Sequence, residues 1–156
     1  MEQKLFAEIR PIYSSSRENP NEIRIRIRMR DLIDPAVFRS GVDMTMKRYP
    51  YFCVELRKIE GQYIFAENNR PVVISHSLHG VELNTEKSNY HMIAFSWFDN
   101  WIIMDIFHAM TDGIGAYEVI RTLLYYYCSE RYHVKLNDAG IALPVMKYLL
   151  RNGMTQ

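Results

Sequence analysis

The chain has 156 residues, 48% of them hydrophobic and 24% charged, with a formal net charge of +1 at pH 7. That length fits one domain, residues 1–156, with a sizeable core, and the composition excludes a disordered or collagen-like chain. So small a net charge gives no electrostatic reason to expect a nucleic-acid partner, and no apolar run reaches the length a bilayer span needs, so no membrane partner is expected.

The first eight residues lack the apolar region of a secretion signal, and a cytoplasmic location is expected. From Ser14 to Asn21 the Ser, Asn and Pro content reads as a loop. Residues 23–30 then alternate Ile or Met with Arg, which predicts a strand with one buried and one polar face. Asp34-Pro35 opens a helix, Asp as N-cap and Pro at the first helical position. Phe38, Val42, Thr45, Met46 and Tyr49 mark its inner side, and Pro50 ends it.

Residues 53–59 and 62–66 predict a hairpin across Glu60-Gly61, followed by a short strand from Val72 to Ser75. The polar run from Ser77 to Asn89 reads as a loop. A second hairpin pairs His91–Phe98 with Trp101–Phe107 around Asp99-Asn100, residues that tolerate the positive φ of tight turns. Its second strand is β-branched and aromatic, interrupted only by Asp105. Beyond it, Ala116, Val119, Ile120, Leu123, Leu124 and Tyr127 form one helical stripe between Gly113 and Ser129. Residues 136–140 break the pattern, and Leu143 to Leu150 predict a last short helix. Cys53 and Cys128 fall on different elements without metal-type spacing and read as reduced, buried thiols.

Chemistry concentrates in Phe107-His108-Ala109-Met110-Thr111-Asp112-Gly113, a His-x-x-x-Asp-Gly run at the strand-to-helix turn. A histidine exchanges protons near neutral pH without a cofactor, and turns at strand ends expose reactive side chains on a rigid scaffold. The plainer reading of His108 is a satisfied histidine at a strand end. Asp112 reads either as a carboxylate orienting His108 or as a helix N-cap. Gly113 reads either as a turn glycine or as an amide donor to an oxyanion. His76 and His79, with His91 or His133, have only generic spacing, and no metal site is expected. Tyr125, Tyr126 and Tyr127 span more than one helix face and read as packing.

The stretch from Phe107 to Tyr127, with its Asp-Gly-x-Gly and Leu-Leu-Tyr-Tyr-Tyr helix end, resembles the His-x-x-x-Asp-Gly region of the chloramphenicol-acetyltransferase-like superfamily. Within it the chain is similar to bacterial alcohol acetyltransferases and to the condensation domains of nonribosomal peptide synthetases. Lys47-Arg48-Tyr49-Pro50-Tyr51-Phe52, at a helix end before a strand, is a second point of likeness. Phe107 stands in place of the first of the paired condensation-domain histidines, and Cys53 where a second arginine is often found. Both departures favour the acetyltransferase side.

The resemblance implies an α/β two-layer sandwich, a mixed sheet of about five or six strands with helices packed on one face. It covers the N-terminal half of a two-half protein whose catalytic histidine lies in a tunnel between the halves. It also implies acyl transfer from acyl-coenzyme A or a related thioester to a small alcohol or amine, with His108 as general base and no resident cofactor. Asp112 is then structural and paired with an arginine, for which Arg24, Arg26, Arg28 and Arg48 are the candidates. The arginines of the first strand either attract the phosphates of coenzyme A or form a solvated, charge-protected sheet face. The implied partner is a second acyltransferase half, in cis or as a separate chain, or a second copy. The alternative is a non-catalytic half-domain for binding or assembly, and an acyl-thioester hydrolase is a third reading.

Overall fold

The computed structural model describes residues 7–10, 22–111, 113–138 and 141. Its strands are β1 (Ala7–Arg10), β2 (Glu22–Met29), β3 (Val54–Ile59), β4 (Gln62–Glu67), β5 (Ile74–His76), β6 (Ile93–Phe98) and β7 (Trp101–Phe107), and its α-helices are α1 (Pro35–Met46) and α2 (Gly113–Arg131). Five strands form one sheet in the order β1-β2-β7-β6-β5, and β3 and β4 form a separate hairpin. The sheet is mixed, since β5 runs parallel to β6 while the other neighbours are antiparallel.

The alternation of residues 23–29 sorts the sheet's two faces. Ile23, Ile25 and Ile27 lie opposite Ile106, Met104 and Ile102, and directly opposed residues share a face. Both helices cover that face: Phe38 and Val42 of α1 and Val119, Ile120 and Leu123 of α2 join these isoleucines in one buried cluster. Each such side chain stabilises the fold by roughly 1.5–3 kcal/mol relative to exposure. The helices approach closely at Gly41, where an added Cβ would stand 3.3 Å from the Leu123 side chain.

Local signals fix the element ends. Asp34 accepts from the backbone N–H groups of Ala36 and Val37 at 3.0 and 3.1 Å, which satisfies free donors of the first helical turn. Its own N–H donates to the Tyr127 hydroxyl at 3.1 Å, tying the start of α1 to α2. At the other end of α1 the Tyr49 hydroxyl donates to the Glu118 carbonyl at 3.2 Å and lies 3.0 Å from the Thr122 hydroxyl. Glu60, Gly61 and Asp99 all take positive φ at the hairpin turns.

Several expectations need correction. Strand β1 was not anticipated; it pairs Ala7–Arg10 with Arg26–Met29. The short strand lies at 74–76 rather than 72–75, because only there does the chain reach its parallel register with β6. Strand β6 starts at Ile93 rather than His91, and α1 ends at Met46, with Pro50 opening a short 3-10 turn instead. The run from Ser77 to Asn89 is more than a polar loop: it contributes Val81 and Leu83 to a second small cluster with Ala94 on the face away from the helices. The proposed helix from Leu143 to Leu150 lies outside the described residues.

Candidate functional site

His108 follows directly on the last residue of β7 and opens a single 3-10 turn, His108–Met110, before α2 begins at Gly113. Phe107 is still extended, at φ −69° and ψ 128°. The turn closes with the Thr111 N–H donating to the His108 carbonyl at 3.3 Å. Met110 packs partly against the core, while the His108 side chain is exposed. Helix α2 is fixed to the sheet through Ala116, Val119, Ile120, Leu123 and Tyr127. The imidazole therefore sits on a short, held turn between two anchored elements. Gly113 is the first residue of α2. Asp112, the other residue of the motif, lies outside the described residues.

Three residues before His108, Asp105 is 1% exposed. The Arg24 Nε donates to its Oδ1 at 2.5 Å, and the Val81 N–H donates to its Oδ2 at 3.3 Å. Burial pushes the Asp105 carboxyl up from its ordinary value, against the opposing pull of Arg24 and of the Val81 amide. A Cβ on Gly80, whose φ is +77°, would run into both the Asp105 carboxylate and the Arg24 guanidinium. The strap over this pair thus requires glycine at 80 on two counts. Glu22 lies opposite Phe107 in the β2–β7 register. Its carboxyl is also raised, first by burial and then by Asp105.

The four arginine candidates have different fates. Arg24 is committed to Asp105. The Arg28 guanidinium lies 6.0 Å from the Trp101 ring centroid, and that of Arg48 5.0 Å from Tyr126. The Nε of Arg26 is buried without a hydrogen-bond partner among the described residues. Sequence reading saw Asp105 only as an interruption of a strand. The usable signal was a carboxylate in a strand predicted to be buried, which requires a charged partner, beside a neighbouring strand rich in arginine.

His91 is fully buried, its Nε2 lies 2.6 Å from the Arg70 carbonyl, and burial holds its pKa below the usual value. A neutral ring donating from Nε2 to that carbonyl fits both facts. His76 stacks on Trp97 with ring centroids 4.0 Å apart. Among the described residues no group of three or more His, Cys, Asp or Glu converges as metal ligands. Both cysteines are free, and burial pushes the Cys128 thiol up to about 11. A polar groove lies at the base of the β3–β4 hairpin, lined by Glu55, Arg57, Glu67, Asn68, Asn69 and Arg70.

No family model and no curated protein sequence matches the chain. Solved structures do. The starter condensation domain of rhizomide synthetase RzmA superposes with a TM-score of 0.59 at 10% identity, over 86% of this chain and 38% of that one. SgcC5 from Streptomyces globisporus superposes at 0.56 and 14% identity, over 86% of this chain and 36% of that one. The fold is condensation-domain-like. A variant of the RzmA domain in complex with C8-CoA matches at 0.57 and 11% identity. This chain spans little more than a third of the length of these condensation-type structures. No helix of the described residues is long and apolar enough to cross a membrane.

Proposed function

We propose that the chain is the N-terminal, motif-bearing half of an acyltransferase that moves an acyl group from acyl-coenzyme A, or a related thioester, to a small alcohol or amine. The observation that carries this reading is an exposed histidine on a held turn at the end of β7, in a fold shared with a condensation domain solved with C8-CoA. The His108 imidazole takes the proton from the acceptor hydroxyl or amine as its oxygen or nitrogen attacks the thioester carbonyl. The carbonyl oxygen gains the negative charge, and the Gly113 amide is a donor for it. Collapse of the tetrahedral intermediate re-forms the carbonyl, breaks the carbon–sulfur bond and returns the proton to the departing thiolate. Asp112 is given no proton-transfer role in this scheme, as the resemblance implies.

A second half, in cis or as a separate chain, would cover the His108 end of the sheet, and the isolated chain is expected to be weakly active. The coverage of about a third of the solved structures also favours a second reading, a non-catalytic half-domain for assembly. One experiment separates the two: release of free thiol from acyl-coenzyme A with a panel of alcohols and amines, on this chain and on its longest natural form. His108→Ala is expected to lower the rate by about 10²–10⁴-fold, the usual worth of a positioned base, with the fold retained by circular dichroism. Activity within a few fold of wild type would remove His108 as the base.

A further inference from the structure

The β3–β4 hairpin stands apart from the layered body. Each of its strands packs closely only against the other among the described elements. Its register sets Lys58 opposite Tyr63, Leu56 opposite Phe65 and Val54 opposite Glu67, so these six residues share one face. Tyr63 is 67% and Phe65 45% exposed. The other face carries exposed Ile59 and Ile64 and, at its base, Glu55 bound to Arg57 and Arg70, so it has no cation and anion at opposite corners free to meet a copy of itself. A two-stranded hairpin is marginally stable alone, and a contiguous exposed apolar face marks a contact surface.

The charges on the aromatic face indicate what covers it. The Lys58 Nζ lies 5.6 Å from the Tyr63 ring centroid, which places a cation on this face at the turn end of β3. Glu67 places an anion at the base end of β4, the opposite corner. One charge of each sign at diagonal corners, with Tyr63, Leu56 and Phe65 between them, makes the face complementary to itself. We propose that a second copy of this chain docks here, the two hairpin faces stacked about a two-fold axis, each Lys58 meeting Glu67 of the other copy.

A two-fold in the interface, perpendicular to the Lys58–Glu67 diagonal, exchanges the two corners. Strands lie about 5 Å apart and successive residues of one face about 7 Å apart, so that diagonal runs nearly along the strands. The two hairpins then cross at a shallow angle, as aligned sheets do. A face of six residues is well below the roughly 20–30 residues a side of a stable interface, so the dimer is expected to be weak and to depend on concentration.

Sedimentation velocity on the 156-residue chain across the micromolar range tests this. Wild type is expected to pass from monomer to dimer, and Lys58→Glu or Glu67→Lys alone to raise the required concentration by about tenfold or more. Mixing the two single variants is expected to restore association, because each then offers the charge the other needs. Both positions are on the hairpin surface, and matching circular dichroism of the variants shows that folding is kept. A monomer at all concentrations overturns the proposal, as does a dimer indifferent to both reversals or one that the mixture fails to restore. A dimer built instead through the His108 end would be indifferent to the reversals, so the result is independent of the acyltransferase reading.

Discussion

Asp105 and Glu55 are both carboxylates held by arginine, and their surroundings drive them in opposite directions. Asp105 is 1% exposed, and its partner Arg24 has a side chain only 22% exposed. There the loss of water outweighs the attraction, and the carboxyl is raised. Glu55 is also buried, at 7% exposed, but its partners Arg57 and Arg70 have side chains 55% and 51% exposed. Hydrogen bonds from those two arginines outweigh the loss of water at Glu55, and its carboxyl is lowered. The same ion-pair chemistry is therefore a lock in the sheet and, where the arginines reach solvent, a more adjustable contact in the hairpin.

The sharpest way to break this contrast is Asp105→Ala, which leaves Arg24 partly buried without its counter-charge. A loss of about 3–5 kcal/mol is expected in urea unfolding, and a loss below about 1 kcal/mol would put the pair on the same footing as a surface contact. Gly80→Ala should cost about 2 kcal/mol, since residue 80 holds φ +77° and its new methyl group enters the pair. Combined with Asp105→Ala it should cost less than in the wild type, because the obstructing carboxylate is gone; strict additivity would disconnect the glycine from the pair. Tyr127→Phe removes an uncharged buried acceptor from the Asp34 N–H and is expected to cost about 1 kcal/mol.

The smallest effect is expected at Glu55. Its folded pKa lies below its unfolded value, so its contribution is present at neutral pH and is lost as pH falls through the folded value, below 4.5. The stability gap between wild type and Glu55→Gln should close on acidification and shrink with added salt. Asp105 carries the opposite sign: its raised pKa means the folded state holds the proton more readily. The part of stability due to its titration is full at low pH and declines as pH rises through the folded value. Parallel pH slopes for Glu55→Gln and Asp105→Asn would erase the distinction.

Much of the fold was legible because it rests on local pattern. The Ile-Arg alternation of β2, the Asp34-Pro35 helix start and the turns at Glu60-Gly61 and Asp99-Asn100 all carry their signals within a few residues. Strand β1 has only four residues, and its stabilisation comes from pairing with β2, which short-range pattern does not contain. Val81 and Leu83 were hidden in a polar segment because their burial depends on Ala94 of the following strand and on Phe107 of β7. His108 at the strand end was readable from its motif. The Arg24–Asp105 pair was not, since choosing one arginine of the strand required the β2–β7 register.

That register also sets an order of events during synthesis. Arg24 and Asp105 are 81 positions apart in the chain, so at about 5–20 residues per second β2 is made several seconds before its central neighbour β7 exists. A strand of isoleucines left waiting is an invitation to pair with other nascent chains. Arginine at every second position supplies like charges that discourage this while the β7 side of β2 is open. Once β7 arrives, Arg24 becomes a recognition mark for the correct alignment, since a slip of one residue would set an isoleucine against Asp105.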